Sequence, residues 1–265
     1  MTETGGGSIQ SVLNALRILE AIGINQPLGV SQLSRNVELP KSSVQRAVRT
    51  LHHAGWIRPV GGEQTRWELT SHLLGVSLRA FGEYSLRELA EPTMNRLRDA
   101  TGETVHLIVL DPDRDEGIVL HRVDSSQAVR AFVEIGSRSP LHATASGLAM
   151  MSQMNEDEVT RILDRPLTTF TGNTVTDPES LREKLAEFRS QGYAVNVGEW
   201  RPEVASVSSP ILRADGTPSG ALTISIPYSR FSQDLAVEYG ALVNKATVGL
   251  DGALAPAPSV RRGHA

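Results

Sequence analysis

Cysteine is absent from the 265 residues. Its absence excludes disulfides, thiolate nucleophiles and cysteine-ligated metals, and fits a reducing compartment, so the cytoplasm is the expected location. No run of about 18 apolar residues occurs, and the opening "MTETGGGS" has neither a basic nor an apolar signal region, so neither a membrane partner nor export is expected. Signatures of common catalytic sites are missing too: the chain has no GxSxG elbow, P-loop, GxGxxG segment or HExxH helix. The seven histidines lack metal-ligand spacing, and "DPDRDEG" only imitates a calcium loop. Its Gly117 is one place late, and Arg122 stands where the bidentate glutamate belongs. That segment reads as a turn, and no metal or cofactor is expected.

Carboxylates are scarce in one place that matters. In "LPKSSVQRAVRTLHHAGW", residues 39–56, the apolar residues Val44, Ala47, Val48, Leu51 and Ala54 form one helical stripe. The rest of that helix carries Lys41, Ser42, Ser43, Gln45, Arg46 and Arg49, without one acid. The net charge of -4 hides this bias. Residues 8–70 hold seven Lys and Arg against four Asp and Glu, a balance of +3, whereas residues 71–265 hold nineteen against twenty-five, a balance of -6. A small domain meeting phosphate and a larger one doing something else fit that split.

The elements around the basic helix give it a setting. Residues 1–7 are Gly-rich and read as a disordered tail, as do 256–265. "SIQSVLNALRILEAI" places Val12, Leu13, Leu16, Leu19 and Ala21 or Ile22 on one face of a first helix, with Ser8 or Ser11 as its cap. "VSQLSRNVEL" is a short second helix with Ser31 as N-cap and Leu33 and Val37 inward. Pro40 and Gly55 bracket the third helix. "WIRPVGGEQTRWELT" then reads as a hairpin. Three helices and a hairpin make a winged helix-turn-helix over residues 8–70. Gln45, Arg46 and Arg49 are placed nearest base edges. Lys41, Ser42 and Ser43 suit phosphates, and Arg66 with the Gly61-Gly62 tip suits the flanking backbone. Ser31, at the start of the supporting helix, joins this set.

Residues 71–84 form a linker helix, and a second helical piece containing Pro92 follows. Beyond Gly102 the texture is α+β: two strands around "DPDRDEG", a third strand at "AVRAFVEIG", a helical block over about 143–191, three more strands, and a closing helix, with no internal repeat. "HATASG" opens a helix after a strand, so N–H groups near Ala145 and Ser146 face the sheet and suit an anion. Thr223 and Ser225, two apart, share a sheet face. His106 and His121 read as structural, and His142 as either a structural histidine or a hydrogen bonder in a pocket.

Four blocks in order, "VLNALRILEAIGINQPLGVSQLSRNVELPKSSVQRAVRTLHHAGWI", "ATGETVHLIVL", "GSRSPLHATASGLAMM" and "GYAVNVGEW…VASVSSPILRADGTPSGALTISIPYSR", resemble the isocitrate-lyase-regulator (IclR) family of bacterial transcription factors from about Ser8 to Leu250. The resemblance implies a GAF-like α/β effector domain over 85–255 and operator DNA bound by a homodimer or a dimer of dimers. It also implies a ligand-responsive regulator, expected to be a repressor, that senses a small organic acid. The family's pocket positions map onto Thr144, Ala145 and Ser146 at the helix start and onto Asn196, Val204, Ser206, Thr223 and Ser225 on the strands. Ala128 and Ala131 map onto an apolar wall. Asn196 replaces an acid found in some relatives and the two alanines replace bulkier residues, which leaves room for a larger or more anionic effector such as an aromatic acid. The alternatives are an enzyme, or a scaffold, whose N-terminal helices only mediate dimerisation.

Overall fold

The computed structural model describes residues 8–61, 64–81, 86–113 and 115–251. The two expected tails and Gly62 of the wing tip fall outside the described residues. The chain divides into two units, 1–83 and 84–265.

The first unit runs α1 (Gln10–Asn25), β1 (Leu28–Gly29), α2 (Val30–Asn36), α3 (Lys41–His53), β2 (Ile57–Val60), β3 (Arg66–Leu69) and α4 (His72–Phe81). Ile18, Ile22, Leu33, Val44 and Val48 are almost wholly buried and knit the three N-terminal helices together. Each contributes on the order of 1.5–3 kcal/mol through burial. The hairpin gains an edge: β1 pairs with β3 through Leu28 and Trp67, giving the antiparallel order β1-β3-β2. Gly55 ends α3 in the left-handed region at φ +81°, which turns the chain directly into β2.

Three expectations for this unit are corrected. Neither Ser8 nor Ser11 caps α1; Ile9 holds that position and supplies no side-chain hydrogen bond. Ser31 does not cap α2 either. Gly29 is the N-cap, its N–H donating to Gln32 Oε1 at 3.0 Å, and Ser31 lies exposed in the first turn. The face of α1 differs in part: Leu19, Ala21 and Ile22 pack inward as expected, but the earlier residues of that stripe do not. Two apolar stripes at helical spacing coexist on it, and packing takes the one through Ile18 and Ile22, leaving Val12, Leu13 and Leu16 exposed.

The second unit begins with α5 (Leu86–Thr101), which continues through Pro92, followed by β4 (Thr104–Asp111), β5 (Glu116–Val123) and β6 (Arg138–Pro140). Then come α6 (Ala145–Met151), α7 (Glu156–Leu163) and α8 (Pro178–Gln191). The strands β7 (Ala194–Val197), β8 (Val204–Leu212) and β9 (Pro218–Pro227), a 3₁₀ turn and α9 (Gln233–Val248) complete it. The expected third strand is replaced by β6: residues 126–137 form an irregular strap instead. The helical block is three helices, because residues 152–155 and 164–177 are not helical. Local chemistry sets these ends. Asn155 and Glu158 exchange a capping box at the start of α7. Asp177 caps α8 with Pro178 at its first position and Gly192, φ +82°, behind it.

The six strands form one antiparallel sheet in the order β6-β5-β4-β9-β8-β7. Helices α5 and α9 cover one face against Leu107, Val207 and Ile224. Helices α6, α7 and α8 cover the other against Ile108, Val119 and Ala221. With both faces covered, β9 is buried from end to end. Gly147 lets α6 sit directly on the preceding chain, since a Cβ there would overlap backbone atoms of Leu141. Gly147→Ala should therefore lower the stability of this unit by roughly 3 kcal/mol in urea denaturation. Wild-type stability in that variant would contradict this seating of α6.

Candidate functional site

The first unit presents one basic surface. On α3, Val44, Val48 and Leu51 are buried while Lys41, Ser42, Gln45, Arg46 and Arg49 are exposed and Ser43 is half-buried. Pro40 occupies the N-cap, and its carbonyl accepts from the N–H groups of Ser43 and Val44 at 2.9 and 3.1 Å. Arg66 is exposed at the start of β3. Among the described residues, no carboxylate lies within 4.0 Å of Lys41, Arg46, Arg49 or Arg66, whereas Arg58, further along the same hairpin, is paired with Glu68 at 2.6 Å. An unpaired cation on a solvated helix is free to meet phosphate or a base edge without first breaking a contact.

The second unit holds a cavity of about 570 Å³ of empty space, mouth included, between the sheet and the start of α6. Strand register explains its position. On the α6 face one row across the sheet is Ile108, Ala221 and Pro210, apolar and covered by the helix. The next row is His106, Thr223 and Ser208, and the one beyond is Thr104, Ser225, Ser206 and Asn196. The cavity lies over these polar rows. Thr144 caps α6: its hydroxyl accepts from the Gly147 N–H at 3.1 Å and donates to the Pro140 carbonyl at 2.8 Å.

Eight of the ten sequence-assigned effector residues line this cavity: Thr144, Ala145, Ser146, Asn196, Val204, Ser206, Thr223 and Ser225. The two alanines do not. Ala128 is exposed on the strap, and Ala131 is buried and lines a second, open groove with Arg130 and Glu203. Phe132 and Val133 of the same strap supply the apolar wall instead. The family mapping assumed a strand here, and it names the wrong residues because residues 126–137 are not one. Asn196 faces the cavity but its amide is already occupied, donating to the Ala143 carbonyl at 3.1 Å and accepting from the Glu199 N–H at 3.3 Å. It fastens two loops of the site together.

His106 is the main residue that sequence reading missed. It lines the cavity and also holds the strap: its Nε2 accepts from the Val133 N–H at 3.0 Å, and its Nδ1 lies 3.1 Å from Ser225 Oγ. A backbone N–H can only donate, so Nε2 carries no proton and the neutral ring is protonated on Nδ1. Burial, reinforced by the nearby Arg122 guanidinium, pushes the imidazole down to about 4 from 6.5. Trp200 and Arg201, also missed, stand at the cavity edge, with the Arg201 guanidinium 4.6 Å from the Trp200 ring centroid. No local signal marks any of these, because their convergence depends on pairing between distant strands. His142 behaves as a structural residue, its Nε2 bonded to the Thr168 carbonyl at 2.9 Å.

The His106 shift has a definite sign. Between its unfolded value of 6.5 and its folded value of about 4 the unfolded chain binds a proton that the folded chain refuses, so acidification destabilises the fold in that window and not above it. His106→Asn should remove about 2 kcal/mol of the stability lost between about pH 7 and pH 5, read by urea denaturation at both values. An identical pH dependence in wild type and variant would contradict a neutral, buried His106.

Comparison with known proteins agrees with both halves of this geometry. Residues 11–61 match the IclR helix-turn-helix domain, and residues 79–251 match the family described as bacterial transcriptional regulator IclR, C-terminal. The transcriptional repressor IclR of Escherichia coli is 31% identical over 247 residues, covering 92% of this chain and 90% of that protein. The acetate operon repressor of Salmonella typhimurium is 33% identical over 242 residues, covering 91% and 88%. Among solved structures, an IclR homolog from Microbacterium hydrocarbonoxydans, crystallised with 4-hydroxybenzoate, superposes with a TM-score of 0.76 at 27% identity, covering 91% of this chain and 97% of that one. The basic helix over a winged hairpin and the sheet-floored cavity are thus the two halves of one established architecture, and the chain belongs to the IclR family of bacterial transcriptional regulators.

Proposed function

We propose that this regulator binds a palindromic operator with α3 in the major groove, represses transcription, and changes its DNA affinity when a small organic acid enters the cavity of the second unit. Gln45, Arg46 and Arg49 meet base edges. Lys41, Ser42, Ser43 and Ser31 meet phosphates, and Arg66 reaches the backbone beside the wing. The observation that carries this reading is the exposed face of α3, with Arg46 and Arg49 free of carboxylates among the described residues. Repression is supported by the named activity of the two relatives in enteric bacteria.

The acid is supported by Ala145 and the Ser146 hydroxyl, which line one end of the cavity where α6 begins, and an aromatic body by the Phe132 and Trp200 walls. The ligand of the Microbacterium homolog is an acid of this kind. One recognition helix reads few base pairs, so the protein acts as a homodimer or dimer of dimers, with two such helices about 34 Å apart. The exposed stripe of Ile9, Val12, Leu13 and Leu16 on α1 suits a second copy, since an isolated domain gains nothing from leaving four apolar side chains in water.

Arg49→Ala is expected to weaken operator binding about tenfold and to reduce the slope of log affinity against log salt by about one. Fluorescence anisotropy on an operator fragment mapped by footprinting upstream of the gene measures both. Unchanged affinity and slope would remove α3 from the interface.

A further inference from the structure

The hydrogen bonds on the cavity floor can be assigned proton by proton. The Ser208 hydroxyl has a single proton and lies 2.8 Å from the Leu222 carbonyl oxygen, which can only accept. Ser208 Oγ is also 2.9 Å from Thr223 Oγ1. The proton in that second bond must therefore come from Thr223. Thr223 accordingly meets the cavity with lone pairs alone.

Ser225, two residues along the same face, is the reverse case. The Val133 N–H fixes His106 with its proton on Nδ1, and that proton points to Ser225 Oγ at 3.1 Å. Ser225 accepts from the ring, and its own proton meets no acceptor among the described residues. Both hydroxyls line the cavity, and both residues are at most 6% exposed. A buried donor and a buried acceptor left open side by side define a demand. Residues two apart on a strand lie about 6.7 Å from each other. A hydroxyl oxygen making two bonds of about 2.8 Å at a tetrahedral angle spans about 4.6 Å, so one such group joins the two where their side-chain oxygens stand closer together than their Cα atoms.

We propose that Thr223 and Ser225 form a matched acceptor and donor for one hydroxyl group of the effector, that His106 is the positioning residue that sets this polarity, and that the cavity therefore selects a hydroxylated organic acid. This rests on the reading of the cavity as an organic-acid site. An acid lacking the hydroxyl leaves both groups unpaired in a buried setting. A methyl ether can accept from Ser225 but has nothing to donate to Thr223.

Isothermal titration calorimetry of the full chain tests this with matched sets of benzoate, its 3- and 4-hydroxy derivatives and the corresponding methoxybenzoates, and with butanoate against 4-hydroxybutanoate. In at least one set the hydroxy acid should bind at least about tenfold tighter than its parent and, in the benzoate sets, than its methyl ether. Thr223→Val and Ser225→Ala should each bring the hydroxy acid to within about threefold of the parent, both constants being measured on the same variant. His106→Phe, which can neither accept from Val133 nor donate to Ser225, should collapse the same ratio. Parents or ethers that bind as tightly as hydroxy acids in every set would overturn the hydroxyl assignment while leaving the organic-acid reading standing. A ratio that survives both hydroxyl variants would overturn it equally. Absence of binding by every acid in the panel would overturn both.

Discussion

The imidazole of His106, accepting from Val133 on one side and facing Ser225 on the other, is the contact around which the second unit's cavity is organised. A polar row on the inner face of a buried sheet is costly unless each group finds a partner. Here the helix that covers the apolar row stops short of the polar ones, and the irregular strap closes over them. The strap makes few ladder bonds of its own, so side chains satisfy its backbone. His106 takes the Val133 N–H, Arg122 donates to the Val133 carbonyl at 3.2 Å, Arg201 to that of Phe132 at 3.2 Å, and Arg230 to that of Val129 at 3.0 Å. Three of these four anchors are cations, and the fourth stays neutral because it is buried among them.

The two units treat charge in opposite ways, and the difference follows their roles. In the second unit arginines are committed: Arg230 grips buried Glu103 through two bonds of 2.8 and 2.7 Å, and Arg161 and Arg165 both reach Asp115 at 2.7 Å. Such pairs fix geometry as much as they add stability. On α3 the cations hold no such partners among the described residues, so they add little to the fold. Their cost is mutual repulsion, and a polyanion relieves it. The overall charge of -4 conceals this division.

Much of the architecture was legible in the sequence because it is written in local rules. Helix periodicity located α3 and its buried face, Pro40 and Gly55 its ends, and the Gly-rich turn between two short β-type runs the wing. The cavity's strand residues came from resemblance and from the two-residue period that puts Thr223 and Ser225 on one face. What was not legible depends on tertiary competition. Both apolar stripes of α1 satisfy the same periodicity, and only packing chooses Ile18 and Ile22 over Val12, Leu13 and Leu16. The strap has strand-like composition, yet several of its hydrogen bonds go to side chains, and Ala128 falls outside the wall where Phe132 and Val133 stand. His106 meets Ser225 across 119 positions of sequence, a distance no local pattern spans.

The proposed function couples occupancy of the cavity to DNA affinity, and such coupling must be reciprocal: the factor by which the acid changes the affinity for DNA equals the factor by which DNA changes the affinity for the acid. The most direct measurement is therefore the pair of dissociation constants for a footprinted operator with and without a saturating acid, set beside those for the acid with and without saturating operator. Two equal ratios of about 5 to 150 are predicted. An acid that fills the cavity and leaves the operator constant unchanged would contradict the claim that this cavity governs α3.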